Sequence, residues 1–159
     1  MRKKRIYKKH YKPDFKYHRV DLGRFINYLT WNGKKSTAAK VFYSALEKIE
    51  KETKVDPLTI FEKALANTSP LLEVVSKRVG GANYQVPQEV APERKFILAC
   101  RWLIQSARSK KGISMIDKLA NEIIAASKNE GAAIKKKLDT HRMAEANRAF
   151  AHFANRPNR

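Results

Sequence analysis

Residues 71–90 read LLEVVSKRVGGANYQVPQEV, and they interrupt a chain whose apolar residues otherwise recur with helical spacing. Val75 and Val79 before Gly80-Gly81, and Tyr84 and Val86 after it, lie at alternating positions, as in a strand. Two consecutive glycines can supply the positive φ angles that a tight hairpin turn needs. The stretch therefore predicts a β-hairpin. Because Lys77 and Arg78 precede the turn, we expect a basic tip that binds an anion, with a plain structural hairpin as the alternative.

The rest of the chain is patterned as helices. Segments with one apolar face begin near Asp21, after Gly33, at Pro57, at Pro92, after Ser114 and at about Ala132. We predict a mainly α fold: a single helical domain of about six helices with one protruding β-hairpin and a basic N-terminal arm. The predicted boundaries are residues 1–19 for the arm, 20–156 for the helical domain with the hairpin at about 71–90, and 157–159 for a C-terminal tail.

Several helix ends carry recognisable signals. Asp56 precedes Pro57 and can accept hydrogen bonds from the first free N–H groups of a helix. Ser114 with Asp117 three residues later predicts another capped start. The last helix is expected to run from about Ala132 toward Phe153. It is predicted to bury Met143, Ala146, Phe150 and Phe153 and to expose Lys137, His141, Arg148 and His152.

The charge of the chain indicates a polyanionic partner. Lys and Arg number 34 against 15 Asp and Glu, which gives a formal charge of +19. This excess is far above what solubility requires. A membrane partner is not expected, because no stretch approaches the ~18 apolar residues of a spanning helix. Nucleic acid is the favoured partner.

The predicted arm combines cations with aromatic rings. Tyr7, Tyr11, Phe15 and Tyr17 alternate with the charges, and such rings can stack on unpaired bases while cations neutralise phosphates. A solvated tail is the alternative. The basic residues of the arm are Arg2, Lys3, Lys4, Arg5, Lys8, Lys9, Lys12, Lys16 and Arg19.

Catalytic and metal chemistry have little support in the sequence. Cys100 is the single cysteine and falls on the apolar face of a helical segment, so it is expected to be a buried hydrophobe in a reducing compartment. His141 and His152 lack the further ligands that a zinc site needs. No phosphate-binding loop and no acid–base pair can be identified. We expect a binding protein without cofactors, and an RNA-processing enzyme is the weaker alternative.

Several motifs together closely resemble the bacterial small-subunit ribosomal protein seven family. The resemblance covers about Asp21 to Phe153. The motifs are GKKSTA at 33–38, DPL at 56–58, FEKAL at 61–65, PLLEV at 70–74, SKRVGG at 76–81, YQVP at 84–87, PER at 92–94, RW at 101–102, LANE at 119–122 and HRMAEANRAFAH at 141–152.

The resemblance implies a structural role without catalysis. It implies a primary binder of the 3′ major domain of small-subunit rRNA that nucleates assembly of the subunit head. It also implies a position near the exit-site tRNA and the mRNA path, with small-subunit ribosomal proteins nine and eleven as partners. The expected location is the cytoplasmic small subunit, with an organellar ribosome as the alternative.

The site residues follow from two sources. The match to the family carries over the Gly33 to Ser36 turn, the hairpin tip and several basic positions, whereas the contacts of the arm rest on its charge. The predicted rRNA-binding residues are Arg2, Lys3, Lys4, Arg5, Lys8, Lys9, Lys34, Lys35, Ser36, Lys77, Arg78, Gly80, Gly81, Arg94, Lys136 and Arg142. The residues expected near tRNA or mRNA are Lys77, Arg78, Gly80, Gly81, Tyr84 and Arg148.

The chain also departs from the family pattern. Val75 and Ala91 replace residues that are usually basic, so part of the grip on RNA is expected to shift to the arm. The arm and the tail from Ala154 to Arg159 match poorly. The alternative is a nonspecific nucleoid-type nucleic-acid-binding protein, which predicts only a weak preference for RNA.

Overall fold

A computed structural model describes residues 11–154 of the chain and confirms a mainly α fold with one hairpin. Over these residues the two strands pair antiparallel and form the only sheet. The α-helices are α1 (Val20–Leu29), α2 (Lys35–Thr53), α3 (Pro57–Thr68), α4 (Pro92–Ser109), α5 (Met115–Ser127) and α6 (Ala132–Ala146). The strands are β1 (Leu72–Val79) and β2 (Ala82–Glu89), and a 3-10 helix (Arg148–Phe153) follows α6.

Residue contacts divide the chain into two compact units, residues 1–40 and 41–159, and the division falls inside α2. In the first unit, a turn precedes α1. The Asp14 carboxylate is buried and accepts hydrogen bonds of 2.9–3.1 Å from three backbone N–H groups between residues 16 and 19. A Cβ on Gly23 would lie 2.6 Å from the Lys12 carbonyl oxygen, so α1 packs directly on this turn. Residues 11–19 thus form a folded lead-in to α1.

The second unit has a helical core. Helix α3 packs against α4, α5 and α6, and α4 also packs against α5 and α6. Phe42 and Phe61 are fully buried and meet edge to face at 5.5 Å, an arrangement that aromatic pairs favour. Cys100 is buried, as predicted.

The predicted helix starts are confirmed where a side chain caps them. Asp56 accepts from the N–H groups of Leu58 and Thr59, and Pro57 occupies the first position of α3. Ser114 accepts from the Asp117 N–H at 3.2 Å and caps α5. Helix α4 begins at Pro92 and ends at Ser109, as the sequence predicted.

The prediction for the last helix was wrong in its extent and in its buried face. Helix α6 ends at Ala146 and the chain continues as a 3-10 helix. Met143 is 49% exposed and Ala146 is also exposed. The buried positions of α6 are instead Ala133, Ile134, Thr140 and Ala144. Because the turn type changes after Ala146, the helical spacing that linked the aromatic residues to α6 does not hold.

Candidate nucleic-acid interface

The hairpin closes with a two-residue turn made by Gly80 and Gly81. Their φ angles are +59° and +94°, a conformation that residues other than glycine adopt with strain. Val79 pairs with Ala82 across the turn, so the register leaves no further loop residues. A Cβ on either glycine would meet no atom within 4 Å, which shows that the turn is open on both sides. The tip therefore presents bare backbone to a ligand.

The register gives the two strands two distinct faces. Residues directly opposite each other share a face, and successive residues alternate between faces. Arg78 pairs with Asn83, and Ser76 pairs with Gln85. All four of these residues are exposed, and they form what we call the outer face. Arg78 is one of the two cations that the sequence predicted for the tip, and the structure places it on this face.

The opposite, inner face of the hairpin packs on the 3-10 helix. Lys77 pairs with Tyr84 on this face. The Lys77 ammonium donates to the carbonyl oxygens of Ala154 at 2.6 Å and Phe153 at 3.4 Å. The Tyr84 ring lies 5.2 Å from the Phe150 ring and 5.3 Å from the Phe153 ring. Two residues predicted to meet RNA are thus engaged within the chain.

The root of the hairpin is held by α6. The Leu71 N–H donates to His141 Nε2 at 3.1 Å. One turn earlier, the Lys137 ammonium donates to the Asn67 carbonyl oxygen at 2.6 Å. The prediction that Lys137 and His141 belong to the exposed face of the last helix is therefore wrong, because Lys137 turns toward the last turn of α3 and His141 toward the segment between α3 and β1.

The pKa values of Lys137 and His141 are both lowered at these positions. Burial lowers the pKa of Lys137 below its ordinary value. Burial, and then the positive charge of Lys137, lower the pKa of His141. Neutral His141 is consistent with Nε2 acting as an acceptor, because the protonated ring has no lone pair to offer there.

Arg94 joins the start of α4 to the hairpin. Its Nε donates to Glu73 Oε2 at 3.3 Å, and the two side chains are 46% and 16% exposed. Such a half-exposed pair contributes little to stability. The other edge of the guanidinium can still donate to a phosphate, since arginine carries five N–H donors.

The remaining predicted cations of the second unit are exposed on α6 and just after it. Lys136 and Arg142 lie on α6, and Arg148 begins the 3-10 helix. Arg148 lines an open groove of about 810 Å³ between the hairpin root and α6, together with Leu71, Pro87 and His141. Arg148 therefore lies near the base of the hairpin, whereas Arg78 lies near the tip.

In the first unit, the predicted turn at Gly33 precedes a long helix. Asn32 and Gly33 have φ angles of +49° and +74°. Lys34, Lys35 and Ser36 follow and are exposed at the N-terminus of α2, whose first turn carries no acidic residue. Unpaired N–H groups and the helix dipole make such a terminus favourable for an anion. The predicted contacts Arg2, Lys3, Lys4, Arg5, Lys8 and Lys9 lie outside the described residues.

Sequence reasoning missed the residue that fixes the start of α6. Glu122 is fully buried, and its Oε1 accepts from the Ala133 N–H at 2.9 Å. Its Oε2 lies 2.6 Å from the Lys110 ammonium, an ion pair without good hydrogen-bond angles. Gly131 has a φ of +95°, and a Cβ there would lie 3.0 Å from Glu122 Oε1. Two sequence signals pointed to it, a charged residue on the apolar side of α5 and its place in the motif LANE at 119–122.

Neither a metal centre nor a membrane span is found in residues 11–154. These residues contain no group of three or more His, Cys, Asp or Glu placed to hold a metal ion. Within the same range, no helix has the length and apolar content that crossing a membrane requires. Over this range, exposed cations lie at the start of α2 in the first unit and, separately, on the hairpin and α6 in the second unit.

Comparison with known proteins identifies the family. The sequence profile described as "Ribosomal protein S7p/S5e" matches residues 1–148. The chain is 53% identical over 153 residues to the small ribosomal subunit protein uS7 of Thermotoga maritima, covering 96% of this chain and 99% of that protein. It is 57% identical over 141 residues to uS7 of Thermomicrobium roseum, covering 89% and 90%. It is 56% identical over 142 residues to uS7 of Rickettsia canadensis, covering 89% of each. With its motifs, its fold and these matches, the chain belongs to the ribosomal protein S7p/S5e family.

Proposed function

We propose that this protein is a structural constituent of the small ribosomal subunit that binds the 3′ major domain of its rRNA and nucleates assembly of the head. The observation that carries the proposal is the exposed tip of the hairpin, in a chain that belongs to this family. Its glycine turn is open, and Arg78 and Asn83 lie exposed on its outer face. The formal charge of +19 supports a polyanionic partner.

The affinity would come mainly from electrostatic attraction, and the selectivity would come from the shape of the RNA. Cations neutralise phosphates and release condensed counterions. Because the major groove of A-form RNA is too narrow for side chains, selectivity would arise from the shape of a folded junction and from 2′-hydroxyl contacts. The bare backbone at Gly80 and Gly81 lets the tip approach a phosphate or ribose closely. No catalytic step is part of the proposal.

Three further elements are proposed as rRNA contacts. The first is the N-terminus of α2 with Lys34, Lys35 and Ser36, which offers N–H groups and two cations. The second is the basic arm with Arg2, Lys3, Lys4, Arg5, Lys8 and Lys9. The third comprises Arg94, Lys136 and Arg142, whose side chains are exposed or half-exposed.

The same proposal includes the surroundings of the subunit. The hairpin tip and Arg148 would lie near the exit-site tRNA and the mRNA path. Small-subunit ribosomal proteins nine and eleven would be neighbours, and the assembled particle would be cytoplasmic. Family membership supports this placement.

A filter-binding titration tests the proposal. The protein is titrated against the isolated 3′ major domain, a structured RNA of equal length and a duplex DNA, each across a salt series. Tight binding of the 3′ major domain that persists at moderate salt while the other two are lost is the expected result. Equal affinities that fall together by ~10³ or more over a fourfold salt increase would instead identify a nonspecific nucleoid-type protein.

A further inference from the structure

Two neighbouring cations of the hairpin have opposite surroundings. Lys77 and Arg78 are adjacent in β1, so their side chains leave opposite faces of the strand. Arg78 is exposed on the outer face beside Asn83. Lys77 is half-buried on the inner face, where its ammonium donates to two carbonyl oxygens at the end of the 3-10 helix. Charge alone would have given both residues the same role.

The inner face forms an aromatic cluster with the 3-10 helix. Tyr84, directly opposite Lys77, contacts both Phe150 and Phe153 with ring centroids 5.2 and 5.3 Å apart. The two phenylalanine rings are 6.5 Å apart and nearly parallel, with an interplanar angle of 13°. Aromatic pairs at these distances contribute stabilisation beyond that which comes from the apolar area that they bury. We call Lys77, Tyr84, Phe150 and Phe153 the hairpin clamp.

The hairpin needs such a support. A two-stranded hairpin alone is marginally stable in water, because only one face can be covered and no third strand is present. The 3-10 helix packs on β2, and Lys77 and Tyr84, near the tip, contact this helix and Ala154, which follows it. Only Val86 and Pro87 of the two strands are buried, and both lie nearer the root than Lys77 and Tyr84 do. The clamp is therefore the contact that orients the outer end of the hairpin, which carries Arg78 and the glycine turn.

We propose that Lys77 and Tyr84 are positioning residues, which act on RNA binding by fastening the hairpin to the end of the 3-10 helix and so holding its tip in the binding direction. This inference rests on the proposed function, because it assumes that the tip contacts RNA. It replaces the direct contact predicted for these two residues with an indirect one. The direct contact at this level of the hairpin is left to Arg78.

Matched substitutions of the two neighbours separate positioning from contact. Lys77→Met and Arg78→Met each remove one positive charge from adjacent positions of the same strand and keep an apolar side chain there. Affinity for the 3′ major domain is measured across a salt series for both variants. Arg78→Met should reduce the slope of log K against log salt by about 0.7–0.9, the value for one lost phosphate contact. Lys77→Met should lower affinity at every salt concentration and leave the slope unchanged. An equal loss of slope in Lys77→Met would show that Lys77 binds phosphate and would overturn the proposal.

A double-mutant cycle tests Tyr84. Tyr84→Leu and Phe153→Leu should each weaken rRNA binding about 2- to 10-fold, the range that an aromatic pair interaction of about 0.5–1.5 kcal/mol gives. Because both act through one cluster, the double variant should bind within about twofold of the weaker single variant. Multiplicative losses would mean that Tyr84 stacks on RNA independently of the clamp.

Amide hydrogen exchange on the free protein gives a readout that does not depend on RNA. Residues 76–83 should exchange faster in Lys77→Met and in Phe153→Leu than in the wild type, and at the wild-type rate in Arg78→Met. Unchanged exchange in the first two variants would refute the clamp. If the wild-type protein failed to select rRNA, the proposed function would fail, and this measurement would still decide whether the clamp orders the hairpin.

Discussion

Replacing Glu122 by alanine should destabilise the second unit by about 3 kcal/mol, near the lower end of the range for breaking a buried pair. The side chain is fully buried and serves two partners, the Ala133 N–H at 2.9 Å and the Lys110 ammonium at 2.6 Å. Leaving a buried N–H without an acceptor costs about 1–3 kcal/mol. The Lys110 side chain is 37% exposed, so its charge can return to water, and this limits the second loss.

Glu122→Gln separates the two contributions. The amide oxygen can still accept from Ala133, while the negative charge opposite Lys110 is gone. We expect this variant to lose about 1 kcal/mol, the smaller part of the effect, since a hydrogen bond to a charged group contributes more than a neutral one by about that amount. Glu52→Ala is the matched control, because Glu52 is 43% exposed in its pair with Lys48 and should change stability by less than about 0.5 kcal/mol.

Urea denaturation followed by Trp102 fluorescence measures these differences, since Trp102 is buried in α4 of the same unit. For a domain of this size, a loss of about 3 kcal/mol corresponds to a fall in Tm of roughly 6–12 °C. A loss below about 1 kcal/mol for Glu122→Ala would show that the start of α6 does not depend on this carboxylate.

Three other perturbations have expected outcomes. Asp56→Ala removes the acceptor for two N–H groups of α3 and should cost about 1 kcal/mol in urea denaturation, whereas Asp56→Ser should retain most of the stability. His141 has a lowered pKa in the folded protein, so its contribution is complete above its ordinary value of about 6.5 and is lost as pH falls below it. Between pH 7.5 and 5.0 the wild type should therefore lose more stability than His141→Gln, and equal losses would refute this account of the Leu71–His141 contact. Gly80→Val should destabilise the hairpin by about 1–2 kcal/mol because its φ is +59°, and Gly80→Asn should cost less; faster amide exchange at the tip in the valine variant alone checks this difference.

Local signals in the sequence were enough to place most elements. Two glycines between alternating residues predicted the hairpin at about 71–90, and the structure has it at Leu72–Glu89. Proline and capping residues predicted the starts of α3, α4 and α5. These signals work because they concern backbone groups a few residues away, which every fold must satisfy.

The last part of the chain could not be predicted in the same way. Helical spacing suggested one helix toward Phe153, but the aromatic side chains there pack on Tyr84, about 70 residues earlier in the chain. His141 was read as exposed, yet it accepts from Leu71, which is 70 residues away. Contacts of this kind depend on where the hairpin packs against the helices. The spacing of apolar residues in the last part of the chain carries no information about that position.

The candidate site was likewise only partly predictable from the sequence. The composition predicts that cations bind a polyanion, but it gives Lys77 and Arg78 equal weight. Adjacent residues of a strand lie on opposite faces, and only the packing of the hairpin on the 3-10 helix shows which of the two faces is covered. The family motifs identify the stretch that matters, whereas the paired strands decide which of its side chains can reach a ligand.

Directed cleavage from the hairpin tip tests the central claim most directly. Cys100 is the only cysteine and is fully buried, so a cysteine introduced by Asn83→Cys on the outer face can be labelled selectively with an iron chelate. Hydroxyl radicals generated there cut only nearby RNA. A few clustered cuts in the 3′ major domain, retained in excess competitor tRNA, are the predicted result. Diffuse cutting along the whole RNA, or none, would contradict the assignment of this protein as an rRNA binder with the hairpin at its contact surface.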